Sequence, residues 1–165
     1  MTLRALFFVP SPPLWRFCLL AFPLALIPSV ALVTGVRVLL GAMHVNIAPL
    51  LLLRGIPITP WTVFAMVILS PVTETFLLAG GLYILSRLIP HKPIVAFASA
   101  IAWGCLHALF GVLWFFGTVW SFFVFSCAFL AWREVSFRHA YAAAAVPHML
   151  VNLTSVSLIT IGRHA

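Results

Sequence analysis

The sequence predicts an all-α, polytopic transmembrane helical bundle of about five to six membrane segments, on three observations. Hydrophobic residues fill 64% of the 165 positions and charged residues 7%, against about 45–50% apolar and about 25% charged in a soluble domain. The apolar residues gather in runs near the ~20 residues that cross a bilayer. The nine Lys and Arg residues stand singly, almost all at the edges of those runs, where side chains meet lipid headgroups. One bundle uses the whole length, so residues 1–165 are expected to form a single integral-membrane domain.

The first segment is expected over about 17–36, with Pro23 and Pro28 inside it. Arg16 and Arg37 bracket it, and no clear small-x-small cleavage site follows, so a retained helix is expected rather than a cleaved signal peptide. The second, about 38–53, is short and holds His44, Asn46 and Pro49. It reads as re-entrant, interfacial or spanning. The third runs over about 60–86, opening at Pro60 and Trp61 and closing at Arg87. The fourth, about 93–111, follows the IPHKP break. The fifth, about 113–131, is strongly aromatic, and the sixth, about 138–161, carries the small-residue patch AYAAAA. There is no repeat, linker or low-complexity stretch.

The net charge of +7 is dispersed along the chain. It reads as contact with anionic lipid, not with nucleic acid. If the second segment does not cross, Arg4, Arg16, Arg87, Lys92, Arg133 and Arg138 share one side, and Arg37, Arg54 and Arg163 the other. The positive-inside rule then places the N-terminus in the cytoplasm. If all six cross, the charges divide almost evenly. Cys18, Cys105 and Cys127 are odd in number and unclustered, which fits packing residues and neither a disulfide framework nor a metal spacing.

The chain has two acidic residues, Glu74 and Glu134. Glu134, within AWREVSFRH, is expected to pair with Arg133 and Arg138 at an interface. Glu74 instead lies near the middle of the third segment, where an ionisable group costs at least about 2.5–3.5 kcal/mol. His107 lies in the fourth segment, within AWGCLHALFG, and His148 and Asn152 in the sixth, within VPHMLVNL. His148 and Asn152 are four apart and share a helix face. Gly80 and Gly81 beside Glu74, Gly104 and Gly111 beside His107, and Ala142 to Ala145 before His148 would allow close helix approach. Singly, each polar group also fits a structural role, as a histidine bonded to a backbone carbonyl or a protonated glutamate joining helices. Together, four of them on three helices point to a functional site.

The set suits hydrolysis of a peptide bond. A buried carboxylate with a histidine can hold and deprotonate water. A second histidine and an amide can donate to the tetrahedral oxyanion. H-E-x-x-H and G-x-S-x-G are absent, and no aspartate exists for a carboxylate dyad. Spacing leaves open a zinc site made of Glu74, His107 and His148. A proton-relay or transport role for the same groups also stays open.

The order P-x-x-E-x-x-x-x-x-G, then a histidine on the next helix, then H-x-x-x-N resembles the CAAX-protease and bacteriocin-processing (CPBP/Abi) family of glutamic-type intramembrane endopeptidases. The resemblance covers about residues 60–155, the protease-like core. It implies Glu74 as the water-activating base, His107 as its partner, and His148 with Asn152 as the oxyanion site. Pro71 and Gly80 fall where the family commonly has Pro and Gly. No cofactor is implied. The implied partners are the lipid bilayer and a membrane-associated peptide or protein substrate, with a C-terminal sorting signal as one such tail. The implied location is the bacterial cytoplasmic membrane. A non-catalytic bacteriocin-immunity or scaffold protein of the same fold is the alternative. The sequence departs from the family's E-E-x-x-x-R at two positions, Thr75 for the second glutamate and Ala79 for the arginine. Both charges of an i, i+4 pair are absent together, which leaves no stranded charge.

Overall fold

The structure, a computed structural model, describes residues 7–10, 13–46 and 57–164, with side chains through Ile161. Among these residues it is all-α, with five principal helices: α1 (Leu14–Ala42), α2 (Pro60–Leu88), α3 (Lys92–Ala108), α4 (Val112–Trp132) and α5 (Phe137–His164). Four of them, α1, α2, α4 and α5, are long and apolar enough to cross a membrane. The fourth predicted segment is shorter than expected. α3 has 17 residues, about 25 Å of helix against a hydrocarbon core of about 30 Å.

Helix ends follow local chemistry. Thr59 caps α2 through a reciprocal capping box with Thr62, and Pro60 sits in the first turn, where a missing N–H is harmless. Ser136 Oγ accepts the His139 N–H at the start of α5. Gly111, at φ 144°, turns the chain between α3 and α4, a backbone shape suited to glycine. His44 closes α1 in the left-handed conformation, with φ 56°. His44 N–H bonds the Gly41 carbonyl and Val45 N–H the Leu40 carbonyl, the paired bonds of a Schellman stop. The second expected segment therefore begins inside α1, which absorbs residues 38–42; its remainder from residue 47, and Arg54, lie outside the described residues, as does Arg4.

α4 is the central helix and packs against α1, α3 and α5. Its second half, from Ser121 onward, is almost wholly buried. Ala140, Ala143 and Ala144 of α5 are fully buried, so the predicted small-residue patch does seat α5 closely in the bundle. Polar pairs join helices at depth: Ser29 Oγ donates to Ser121 Oγ (3.3 Å) and Ser126 Oγ to Ser99 Oγ (3.1 Å). Trp120 Nε1–H donates to the Leu24 carbonyl at 2.8 Å, the carbonyl that Pro28 leaves without its intrahelical donor. Outward positions such as Leu20, Ile27, Leu77, Ile84 and Phe97 are exposed and apolar, as a lipid-facing surface requires.

The start of α1, the end of α2, the start of α3, the end of α4 and the start of α5 gather at one end. Phe17 packs edge-on to Trp132 at 5.5 Å, Arg133 bonds Ser86, and Lys92 pairs with Glu134. Arg16, Arg87, Lys92, Arg133 and Arg138 therefore share that end, and Arg37 lies at the other. Lys92, rather than the expected Arg133 or Arg138, is the ion-pair partner of Glu134. Its hydrogen bond and charge hold the exposed Glu134 carboxyl below its ordinary range, with a smaller contribution from Arg133.

Candidate active site

Glu74 is the middle residue of α2, about 21 Å from either end at 1.5 Å per residue. Counted from the basic end of the bundle, His107 lies fifteen residues into α3 and His148 eleven residues into α5, about 22 Å and about 16 Å along their axes. Three helices thus carry these side chains to similar depth. The side chains meet: Glu74 Oε2 lies 3.7 Å from His107 Nε2 and 3.8 Å from His148 Nε2. Both separations exceed a direct hydrogen bond and are of the kind a single water bridges.

Each group is held from behind. Ser70, one turn before Glu74, donates its hydroxyl to Oε1, while the buried Oε2 has no hydrogen-bond partner. The free oxygen is the one that faces the imidazoles. His107 Nδ1 lies 2.9 Å from the Trp103 carbonyl, four residues back. A carbonyl only accepts, so Nδ1 carries a proton toward it, and Nε2 is the ring nitrogen turned toward Glu74. His148 is buried, stacked on Phe125 with ring centroids 4.7 Å apart and edge-on to Phe122 at 5.2 Å. Phe122 also touches His107 at 5.1 Å and stacks on Trp103 at 4.7 Å, so one ring of α4 spaces both imidazoles.

Close helix approach supports this arrangement at one of the predicted glycines. A Cβ on Gly104 would lie 2.9 Å from the Phe115 ring and 3.3 Å from Val119 Cβ. α3 therefore lies hard against α4, one turn before His107. Gly80 and Gly81 differ from expectation, since a Cβ on either would meet nothing within 4 Å. They face open space, and α2 is not drawn in at that point. His107 occupies the last turn of α3, next to the α3–α4 turn.

Asn152 shares the face of His148, but its Nδ2 donates to the Met66 carbonyl at 2.8 Å. Met66 lies in Ala65–Leu69, a stretch of α2 wound as π-helix, where Ser70 N–H reaches back five residues to Ala65. The next residue, Pro71, has no N–H to continue that ladder to Met66. Asn152 supplies the missing donor. Among the described residues no hydrogen bond links Asn152 to Glu74, His107 or His148. Tyr141 makes a second tie between α5 and α2, from its hydroxyl to the Val72 carbonyl at 2.7 Å.

Sequence reasoning passed over Ser70, although it stands four residues before Glu74 on the same helix face. It also passed over Trp103, Phe122 and Phe125, whose neighbours only tertiary packing decides. Thr75 and Ala79, at the positions where charge is missing, are both buried, and Thr75 Oγ1 has no partner. A charged pair there would sit in the apolar interior. No group of three or more His, Cys, Asp or Glu among the described residues is placed to hold a metal ion. No family model matches this chain, and neither a curated protein nor a solved structure matches it.

Proposed function

We propose that the chain is an intramembrane glutamic-type endopeptidase of the CPBP/Abi kind that its motif order resembles, cleaving a membrane-associated peptide tail. One observation carries the reading: a buried carboxylate oxygen without a partner faces two imidazole nitrogens contributed by two other helices. An acid kept at membrane depth only to join helices would have its oxygens bonded.

The chemistry follows from the donors. A water between Glu74 Oε2 and His107 Nε2 gives one hydrogen bond to each acceptor, which orients its lone pair. Glu74 takes a proton as the oxygen attacks the scissile carbonyl carbon. The carbonyl π electrons move onto its oxygen, and His148, with its proton on Nε2, donates to that oxyanion. Glu74 then returns the proton to the amide nitrogen as the C–N bond breaks, releasing an acid and an amine. Asn152, paired with His148 in the resemblance, has its Nδ2 on the Met66 carbonyl. Its role in this scheme is to fix α5 against α2, which leaves His148 as the oxyanion donor. A sorting-signal tail and the bacterial cytoplasmic membrane remain the substrate and location that the resemblance implies.

The test is reconstitution of the pure protein in lipid nanodiscs with a pool of membrane-anchored peptide tails in 18O-water. The expected products carry one 18O in each new carboxyl, and their formation is unaffected by metal chelators. Stoichiometric zinc with loss of cleavage on chelation would reject the metal-free scheme. Intact tails together with a Glu74-dependent proton flux would replace it with a relay.

A further inference from the structure

Away from Glu74, a groove of about 430 Å³ opens between α2, α4 and α5 at the basic end of the bundle. Phe76, Gly80, Tyr83, Phe129 and Phe137 line it, and Arg133 stands at its mouth. The volume is that of a small-molecule site. Along α2 the groove is lined from Phe76 to Tyr83, about 10 Å of helix, and Arg87 lies one turn beyond Tyr83. The walls are apolar below and cationic above. Gly80 holds the groove open, since any side chain there would project into space that no other atom occupies within 4 Å.

Neither arginine hydrogen-bonds a carboxylate, and Arg133 acts on Glu134 through its charge alone. The Arg133 guanidinium bonds the Ser86 hydroxyl at 3.2 Å. The Arg87 guanidinium lies over the Tyr83 ring, 4.3 Å from its centroid, and bonds the Tyr83 hydroxyl. The one acid at this end, Glu134, is taken by Lys92. Arg133 in the lining and Arg87, joined to the lining residue Tyr83, therefore stand over an apolar slot, with no carboxylate hydrogen-bonded to either.

We propose that this groove is a binding site for one anionic phospholipid, with an acyl chain lying along Phe76, Gly80 and Phe129 and the phosphate held by Arg133 and Arg87. A zwitterionic lipid brings its own ammonium to the same place and gains less from the arginines. The site is independent of the Glu74 chemistry, so the two readings stand or fall separately.

Native mass spectrometry of the protein in detergent, titrated with phosphatidylglycerol or phosphatidylcholine of equal chain length, tests it. The expected result is one tightly retained phosphatidylglycerol and weaker retention of phosphatidylcholine. Arg133→Gln should lower the phosphatidylglycerol preference about fivefold, the scale of one basic residue at an anionic surface. Gly80→Leu should fill the slot and remove retention of both lipids, and Gly80→Ala should weaken it even if the larger side chain disturbs folding. Arg37→Gln, at the opposite end, and Glu74→Gln should leave the lipid count unchanged. Equal retention of the two lipids, or wild-type retention in either Arg133→Gln or the Gly80 variants, would overturn the proposal.

Discussion

Glu74→Gln should abolish cleavage, by about 10²–10⁴-fold for loss of a positioned general base, while the protein still elutes as a folded species. The substitution is close to isosteric. The glutamine carbonyl still accepts from Ser70, and the amide N–H₂ lies toward His107 Nε2, the ring nitrogen opposite the one that faces the Trp103 carbonyl. Packing is kept and the base is lost. The same variant sorts the alternatives. A bacteriocin-immunity or scaffold protein would keep its protective activity, because none of its function passes through a proton at residue 74. A relay would lose proton flux in vesicles with no proteolysis in either form. Thermal unfolding in detergent is the companion measurement, and a melting temperature within a few degrees of wild type is expected.

His148→Phe should lower cleavage about 10²–10³-fold, the usual effect of removing one oxyanion donor, without loss of stability. The histidine sits in an aromatic niche, stacked on Phe125 and edge-on to Phe122. A phenyl ring suits that niche and brings no polar atoms to satisfy. The loss should appear in kcat with KM nearly unchanged, since the donor engages charge that develops only in the transition state. A large rise in KM with kcat retained would instead make His148 a binding residue. The assay is single-turnover cleavage of a labelled, membrane-anchored tail in the nanodisc system.

Much of the bundle was legible because membrane helices announce themselves by length and greasiness, and the arginines at their edges punctuate them. α2, α4 and α5 differ from their expected bounds by only a few residues. The misjudged elements were those decided by local backbone bonds. α1 runs past Arg37 to a Schellman stop at His44, so residues 38–42, expected to open a second segment, belong to the first. Gly111 ends the α3–α4 connection early, so His107 falls in a last turn. At the site, Glu74, His107 and His148 were legible because a charge or an imidazole in an apolar run is expensive and therefore conspicuous. The partner of Asn152 was not. It depends on a π-wound stretch in front of Pro71, and no hydrophobic pattern betrays a carbonyl that a proline has left without its donor. The aromatic wall was equally hidden, because α4 is apolar on every side and only its neighbours decide which rings face the imidazoles.

The measurement that bears most directly on the convergence of acid and imidazole is a double-mutant cycle. Single-turnover cleavage rates are compared for wild type, Glu74→Gln, His148→Phe and the double variant. Groups acting on one water and one carbonyl are strongly non-additive, so the double variant should be no slower than Glu74→Gln by more than about threefold. A double variant slowed by the full product of the two single losses would mean that Glu74 and His148 act independently, and would contradict a shared site.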